Sequence, residues 1–388
     1  MLDHLPLKDL RVLDLSQGIA GPCCGGLFAE YGARVIKIEP TGGDWMRALG
    51  PGFDDRSAGF MYYNRGKESL ALDLKHAGAL DVVLAHAERA DVLIENNRPG
   101  VTERLGFGFE AVKARQPRIV YVSISGLGRE GPEAQRPLSD TVAQARSGFM
   151  QINRGRADAP GKVDTTLIDA TTGLYAFQCA SMALWGDPAH RQARHVDVSL
   201  LQSAAALQGP KILEYGILGH MPEKLNSPAG GYPTANGWIA VTLVQESGWP
   251  AICKAIGHEE LINEPRFTTF AERARHSDEL TAILDNIFRA HDTSHWVDVL
   301  TAERVLASPI NDYGDWLADP QTQATTSAPD SPLRGDRPGP VARTPGRVPF
   351  NAPSPHLGEH SRQLLEEAGV ASATIDEMLS AGAIVTPA

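Results

Sequence analysis

The chain has 388 residues, a length typical of two or three domains, or of one large domain that carries a smaller one. Apolar residues make up 42% and charged residues 21%, as in ordinary globular proteins. The formal net charge of −11 argues against a general role on nucleic acid or on anionic membranes, although it leaves room for a local basic pocket.

The first predicted unit, residues 11–39, consists of a strand, a glycine-rich turn, a helix and a second strand. The strands are the apolar runs 11–15 and 35–38, and the helix covers 23–31 with Pro22 at its first position. The turn lacks the full GxGxxG pattern, but Glu39 follows at the distance expected of a ribose-binding acid. The unit therefore favours a ligand that carries phosphate.

Strands and helices alternate from there to about residue 200, which predicts a largely parallel sheet with helices on its faces. Ligands of such sheets bind beyond the carboxyl ends of the strands. The loops expected to form one site follow the strand residues Leu15, Ile38, Ile94 and Ile124. The GxGxxG sequence at 126–131 precedes Pro132 and no helical apolar pattern, so we interpret it as a loop and not as a dinucleotide site.

Asp169 lies at the start of another predicted helix. An apolar pair precedes it, and small residues, Gly173 and an apolar helical pattern follow. Amide N–H groups at a helix N-terminus favour negative charge, so we expect this carboxylate to be ionised, accessible and able to attack an acyl group. An Asp helix cap is the other interpretation that the local sequence allows.

From about residue 225 the pattern becomes that of a smaller α+β domain, with a loop at 228–233, a strand at 238–243 and helices over 249–304. Residues 324–355, rich in Pro, Arg, Gly and Ser, are expected to be an extended return crossing, and 356–388 to hold a final short helix or two. The predicted division is a large α/β domain (1–200) completed by 330–388, a linker (201–225), a small α+β domain (226–323), and an extended linker with C-terminal helices (324–388).

Neither targeting nor metal-binding signals are visible. The N-terminus has no basic segment followed by an apolar one, and no apolar run reaches the length of about 18 residues that a membrane span needs. The four cysteines lack the spacing of metal ligands, so we interpret them as thiols in a reducing compartment. We expect a cytoplasmic protein without a metal ion or a nucleic-acid partner.

Several short stretches, in order along nearly the whole chain, resemble the class III CoA-transferases. This is the family of formyl-CoA transferase and carnitine CoA-transferase, and it also includes alpha-methylacyl-CoA racemase. The matching stretches are residues 12–15 with 20–22, 32–39, 64–67, 72–75, 90–96, 98–100 with 104–106, 125–132, 232–238 and 357–360.

The resemblance implies a fold, a nucleophile and a cofactor site. The large domain would be Rossmann-like and bind coenzyme A, two chains would interlock as a homodimer, and Asp169 would be the catalytic nucleophile. Gly230 and Gly231 would form a glycine-rich loop over the reacting acyl group. The implied coenzyme A contacts are Ile19, Ala20, Pro40, Leu72, Lys75, Asn96, Asn97, Arg98, Arg104, Leu138 and Asp140. The three cations among them suit the phosphates of coenzyme A.

The implied reaction moves coenzyme A between carboxylic acids through an aspartyl-CoA thioester on Asp169, without a metal ion. Short or dicarboxylic acids are expected, with succinyl-CoA as donor. The alternative of a racemase or epimerase is disfavoured because Ser139 replaces its catalytic histidine. A CoA-binding protein without activity and an intramolecular shift of coenzyme A within one diacid also remain open. Residues 191–194 replace the family's Gly-x-Gly, and nothing in the sequence explains this departure.

Overall fold

The computed structural model describes residues 5–155, 159–186, 190–222, 226–325, 327–334, 337–342 and 352–387, and in 327–342 only the backbone. The strands in chain order are β1 (Arg11–Asp14), β2 (Arg34–Glu39), β3 (Gly52–Phe53), β4 (Arg56–Ser57), β5 (Lys67–Leu72), β6 (Val92–Glu95), β7 (Val120–Ser125), β8 (Arg194–Ser199), β9 (Ala229–Pro233), β10 (Trp238–Thr242), β11 (Leu306–Pro309), β12 (Ser327–Arg334), β13 (Arg337–Ala342) and β14 (Ile384–Val385).

The helices follow the same numbering. They are α1 (Ala20–Glu30), α2 (Ala58–Tyr63), α3 (Ala79–Ala87), α4 (Val101–Leu105), α5 (Phe109–Arg115), α6 (Asp140–Arg146), α7 (Phe149–Ile152), α8 (Leu167–Leu184), α9 (Leu200–Leu207), α10 (Gly209–Leu218), α11 (Trp249–Ala255), α12 (Phe270–Arg275), α13 (Ser277–Phe288), α14 (Thr293–Ala302), α15 (Tyr313–Ala318), α16 (Pro320–Thr325), α17 (Ser361–Glu367) and α18 (Ser372–Ser380).

The main sheet has the strand order β14-β5-β2-β1-β6-β7-β8. All neighbours pair in parallel except β14, which is antiparallel to β5. The chain runs outward from β1 to one side through β2 and β5, and then to the other through β6, β7 and β8. A crevice therefore opens beyond the carboxyl ends of β1 and its two neighbours, which is where doubly wound sheets bind ligands.

Successive side chains of each strand point to opposite faces of this sheet, and both faces are apolar. Val12 and Val35 belong to the core on the side of α1 and α8, whereas Leu13 and Ile36 belong to the core on the side of α3, α17 and α18. The sheet is therefore buried between two helical layers. The expected α/β class with a large, mostly parallel sheet is confirmed.

The chain divides into two compact units, Met1–Gly209 with Thr325–Ala388, and Pro210–Ala324. The second unit contains the antiparallel sheet β11-β10-β9 and its helices, around a core that includes the predicted residues Trp249, Phe288, Trp296 and Leu300. The described part of the predicted linker 201–225 contains most of α9 and all of α10.

Four local predictions differ from the structure. Helix α1 begins at Ala20, so Pro22 is its third residue and not its first; the third position tolerates proline because the first helical amides lack intrahelical acceptors. Residues 228–233, predicted as a loop, hold strand β9, because pairing with β10 overrides the turn preference of two glycines. Two described stretches of the predicted return crossing pair as β12 and β13, and its residues 343–351 lie outside the described ones. Strand β14 was not predicted.

Candidate active site

The turn between β1 and α1 is fixed through its own backbone. The side-chain amide of Asn96, just after β6, accepts from Gln17 N at 2.9 Å and donates to Gln17 O at 2.7 Å. Gly18 N donates to the carboxylate of Asp44 at 2.9 Å. Gly18 has a φ of +80°, and a Cβ there would lie 2.3 Å from the ring of Trp45, so only glycine fits. The loops after β1 and β6 therefore meet as expected.

Beneath this turn lies a buried ionic network. The ammonium of Lys37 donates to Asp44 at 2.9 Å and to Ser16 O at 2.8 Å, and that of Lys67 donates to Asp14 at 2.8 Å. All four charged side chains are fully buried. Burial opposes the charge of Asp14, but the ammonium groups of Lys67 and Lys37 outweigh it and hold its pKa below its ordinary value.

Asp169 is the third residue of α8, as predicted for a carboxylate at a helix N-terminus. The helix amides beside it are taken by another residue: the buried carboxylate of Asp140, first residue of α6, accepts from Ile168 N at 2.6 Å and from Asp169 N at 3.0 Å. Within the described parts of the chain, no group donates a hydrogen bond to the Asp169 carboxylate. Asp169 is therefore not a helix cap.

The protonation of Asp169 differs from the expectation. Burial, and next the charge of Asp140, raise the pKa of Asp169 to about 7. We expected a readily ionised group, because helix amides stabilise negative charge. Asp140 occupies those amides, so Asp169 receives little of their benefit, and its pKa lies above its ordinary value.

Helix α8 reaches the first turn through a close helix crossing. A Cβ on Gly173, one turn after Asp169, would lie 2.5 Å from Cys23 Cβ and 2.7 Å from Ala20 O of α1. The glycine thus permits the backbones of α1 and α8 to approach. Asp169 therefore stands on a helix packed directly against the first turn of α1.

The predicted coenzyme A contacts lie mostly at the carboxyl ends of the parallel strands. Ile19 directly precedes α1 and Ala20 begins it, Pro40 follows β2, and Leu72 ends β5 with Lys75 shortly after. Asn96, Asn97 and Arg98 follow β6, and Arg104 lies in α4. Leu138 lies just before α6, and Asp140 is the first residue of α6. Hydrogen bonds among the described residues bring Asn96 to the turn between β1 and α1, and Asp140 to the start of α8 beside Asp169. Lys75, Arg98 and Arg104 are exposed, and none forms a salt bridge with a carboxylate of the described residues.

Other members of the predicted set have a different environment. Ile19, Ala20 and Leu72 are buried. Gly230 and Gly231 lie in strand β9 of the second unit, opposite Val241 and Ala240, and thus not in a loop as predicted. Arg191, in the departure from the family pattern, pairs with Asp91 at 2.8 Å.

The sequence interpretation missed Lys37, Asp44 and Lys67, which hold the first turn. A signal was available, because a lysine inside the apolar run of a central parallel strand is unusual unless it is paired. Among the described residues, no group of three or more His, Cys, Asp or Glu side chains is placed to hold a metal ion. The described helices include none long and apolar enough to cross a membrane.

Comparison with known proteins identifies the class. The sequence model of CoA-transferase family III matches residues 7–361, and the chain belongs to this family. It is 34% identical to the acetyl-CoA:oxalate CoA-transferase of Acetobacter aceti, over 82% of this chain and 84% of that protein. It is 33% identical to the succinate–glutarate CoA-transferase of Agrobacterium fabrum, over 93% and 95%.

The fold agrees with this assignment. A CAIB/BAIF family protein from Brucella suis superposes with a TM-score of 0.84 at 27% identity, covering 94% of this chain and all of that one. The human succinyl-CoA:glutarate CoA-transferase is 30% identical over 98% of this chain and 90% of its own length. The protein is therefore an enzyme of the class III CoA-transferase type.

Proposed function

We propose that the protein moves coenzyme A from an acyl-CoA donor to a carboxylic acid acceptor through an aspartyl-CoA thioester on Asp169. The observation that carries this proposal is a carboxylate at the N-terminus of α8 that accepts no hydrogen bond from the described residues. It stands on a helix packed against the first turn of α1, beside the crevice of the sheet. Its lone pairs are thus available to an electrophile.

The chemistry needs no oxidant and no general base. A carboxylate oxygen of Asp169 attacks the thioester carbonyl, the C–S bond breaks, and a mixed anhydride and coenzyme A thiolate result. The thiolate attacks the Asp169 carbonyl of the anhydride, which releases the donor acid and leaves the aspartyl-CoA thioester. The acceptor carboxylate then repeats the two steps in reverse. Only the ionised form of Asp169 attacks, so its pKa of about 7 makes the first step depend on pH.

Three cations supply the charge that coenzyme A requires. Lys75, Arg98 and Arg104 are exposed, without a salt bridge to the described carboxylates, and follow β5 and β6 at the carboxyl edge of the sheet. Arginine side chains bind phosphate oxygens in a forked geometry, and a lysine binds them as a point charge. We assign the phosphates of coenzyme A to this group, with Asn96 and the first turn beside the pantetheine arm.

The relatives support small dicarboxylic acids as substrates. The names of three relatives give oxalate, or succinate with glutarate, as the acids of the transfer. We infer a short diacid as acceptor and succinyl-CoA as donor, with transfer between two molecules.

We also propose a homodimer. Helix α10 has no buried residue, and Ile212, Leu213 and Ile217 are 50%, 66% and 75% exposed. An amphipathic helix normally buries its apolar side, so a second chain is the natural cover for this one. Light scattering on the purified protein tests this: a monomer at micromolar concentration contradicts it.

Transfer assays test the proposed function. Succinyl-CoA is mixed with isotope-labelled short monoacids and diacids, and labelled acyl-CoA products are followed by mass spectrometry. We expect labelled products from diacids, and their loss in Asp169→Ala. The control is Asp164→Ala, which removes an exposed carboxylate just before α8 and is expected to retain activity.

Two further assays separate the alternatives. In the first, a 2-methylacyl-CoA is incubated with the protein in deuterium oxide. Incorporation of deuterium at its α-carbon that survives Asp169→Ala would contradict the proposal and favour a racemase. Transfer confined to the two carboxylates of one diacid, without label from a second acid, would replace intermolecular by intramolecular transfer.

A further inference from the structure

We propose that Asp140 is a positioning residue for the nucleophile, in that its buried carboxylate occupies the α8 amides beside Asp169 and leaves the Asp169 carboxylate free to react. The inference rests on the proposed function and deepens it. It gives Asp140 a role different from the contact with coenzyme A that the family resemblance implies.

Both oxygens of Asp140 are engaged within the protein. Oδ2 accepts from Ile168 N at 2.6 Å and Asp169 N at 3.0 Å, and Oδ1 accepts from the side-chain amide of Gln144 at 2.6 Å. Gln144 is fully buried and its own oxygen accepts from Val163 N at 3.0 Å, which fixes its orientation. Asp140 is only 6% exposed. A carboxylate held in this way is directed at α8 and has little capacity left for a ligand.

The capping of α8 is unusual because it comes from another helix. The amides in the first turn of α8 need acceptors, but the side chain of Thr166, the residue before α8, accepts no hydrogen bond from them. Without Asp140, the Asp169 carboxylate at the third helical position would be an acceptor that competes for these amides. Hydrogen bonds to that carboxylate would stabilise its charge and lower its reactivity. Asp140 prevents this competition.

The charge of Asp140 also acts on the reaction. Two carboxylates close together repel, so the ionised Asp169 is destabilised before attack. Forming the anhydride turns Asp169 into a neutral acyl group and moves the charge to the coenzyme A thiolate. The repulsion is therefore relieved in the step that forms the new C–O bond and breaks the C–S bond.

Among the described residues, the other titratable groups that face Asp169 are neutral. Cys23 of α1 and Tyr63 of α2 adjoin it, and burial raises the pKa of each to about 12. Lys162 faces Asp140 from the loop before α8, but it is exposed and paired with Asp164 at 2.8 Å. Among the described residues, Asp140 is therefore the charged group whose removal should change the pKa of Asp169.

The pH dependence of wild-type protein and two substitutions tests this role. Asp140→Asn removes the charge and keeps a side-chain oxygen that can accept from the α8 amides, whereas Asp140→Ser removes the charge and has a shorter side chain. The kcat/KM for succinyl-CoA, and the rate of adduct formation on Asp169, are measured from about pH 5 to about pH 9. We expect the acidic limb of the profile to move to lower pH by about one unit in both variants, with a lower rate on the plateau. The control Asp298→Asn removes an exposed carboxylate from α14 of the second unit and leaves the limb in place.

Three outcomes would overturn the proposal. An acidic limb unmoved in folded Asp140→Asn and Asp140→Ser, with only a lower melting temperature, would make Asp140 a structural cap alone. A raised KM for succinyl-CoA with an unmoved limb would make it a coenzyme A contact. A limb that moves equally in the control would show a general charge effect. Failure of the proposed function itself is distinct, since wild-type protein would then form no adduct on Asp169.

Discussion

Replacement of Lys37 by methionine tests the buried network under the first turn. Methionine keeps most of the apolar stem of lysine and removes only its charge and hydrogen bonds. The substitution leaves the Asp44 carboxylate buried without its cation, and Ser16 O without its donor. Both groups hold the turn before α1, so stability and ligand binding should change together.

The structure sets the size of the effect. Removing one partner of a fully buried ion pair costs about 3–5 kcal/mol. Asp44 keeps its hydrogen bonds from Gly18 N and Met46 N, which partly satisfy the remaining charge. We therefore expect a loss of about 3 kcal/mol in the free energy of unfolding, at the lower end of that range. The KM for acyl-CoA should rise several-fold, since Ser16 O, directly before Gln17 and Gly18, loses its donor, while the adduct still forms on Asp169.

Urea denaturation of four proteins measures the first effect: wild type, Lys37→Met, Asp44→Asn and the double variant. The loss of unfolding free energy in the double variant should be smaller than the sum of the two single losses, because removing both charges leaves no isolated buried charge. Lys254→Met breaks an exposed ion pair with Glu303 and should cause no measurable change. A loss below about 1 kcal/mol in Lys37→Met, or strictly additive losses, would refute the reasoning.

Three further predictions concern the same region. The rate of adduct formation should fall as pH falls through about 7 and level off above it, because burial and Asp140 raise the pKa of Asp169 to about that value; a profile flat down to about pH 5 in stopped-flow assays would contradict this. Gly173→Ala should lower stability to urea by about 1–3 kcal/mol through overpacking against α1, whereas Gly42→Ala in the exposed loop after β2, with open space around it, should not; equal stabilities would contradict the close crossing. Asn96→Ala should raise the KM for acyl-CoA with little change in kcat, and an unchanged KM in steady-state assays would exclude Asn96 from the site.

The sequence predicted the elements whose residue pattern is strong. The βαβ unit of β1, α1 and β2, the strands β6 and β7, and the helix that carries Asp169 all lie within a few residues of their predicted bounds. Apolar runs with glycine or proline at their ends produced those predictions. Strand β9 was mistaken for a loop because its glycines carry no side-chain pattern, and β14 has only two residues. Both exist through pairing with distant strands, which local sequence does not encode.

The candidate site was predictable in its location more than in its electrostatics. Parallel topology placed the loops after β1 and β6 together, and their contact is observed. The contact of Asp140 with the start of α8 joins residues 28 and 29 positions apart in different helices, so no local pattern indicates it. The raised pKa of Asp169 has the same origin. Burial, and next the charge of Asp140, set its direction, and both come from tertiary structure.

The most direct test of the central claim is intact-mass and peptide analysis of the protein incubated with succinyl-CoA. Trapping with hydroxylamine or borohydride should modify Asp169 in wild-type protein, and an added diacid should discharge the adduct. Asp169→Ala should remain unmodified, and Asp164→Ala should react as wild type does. Transfer of coenzyme A that proceeds with Asp169 unmodified, or equal transfer in Asp169→Ala, would contradict the role of Asp169 as the nucleophile.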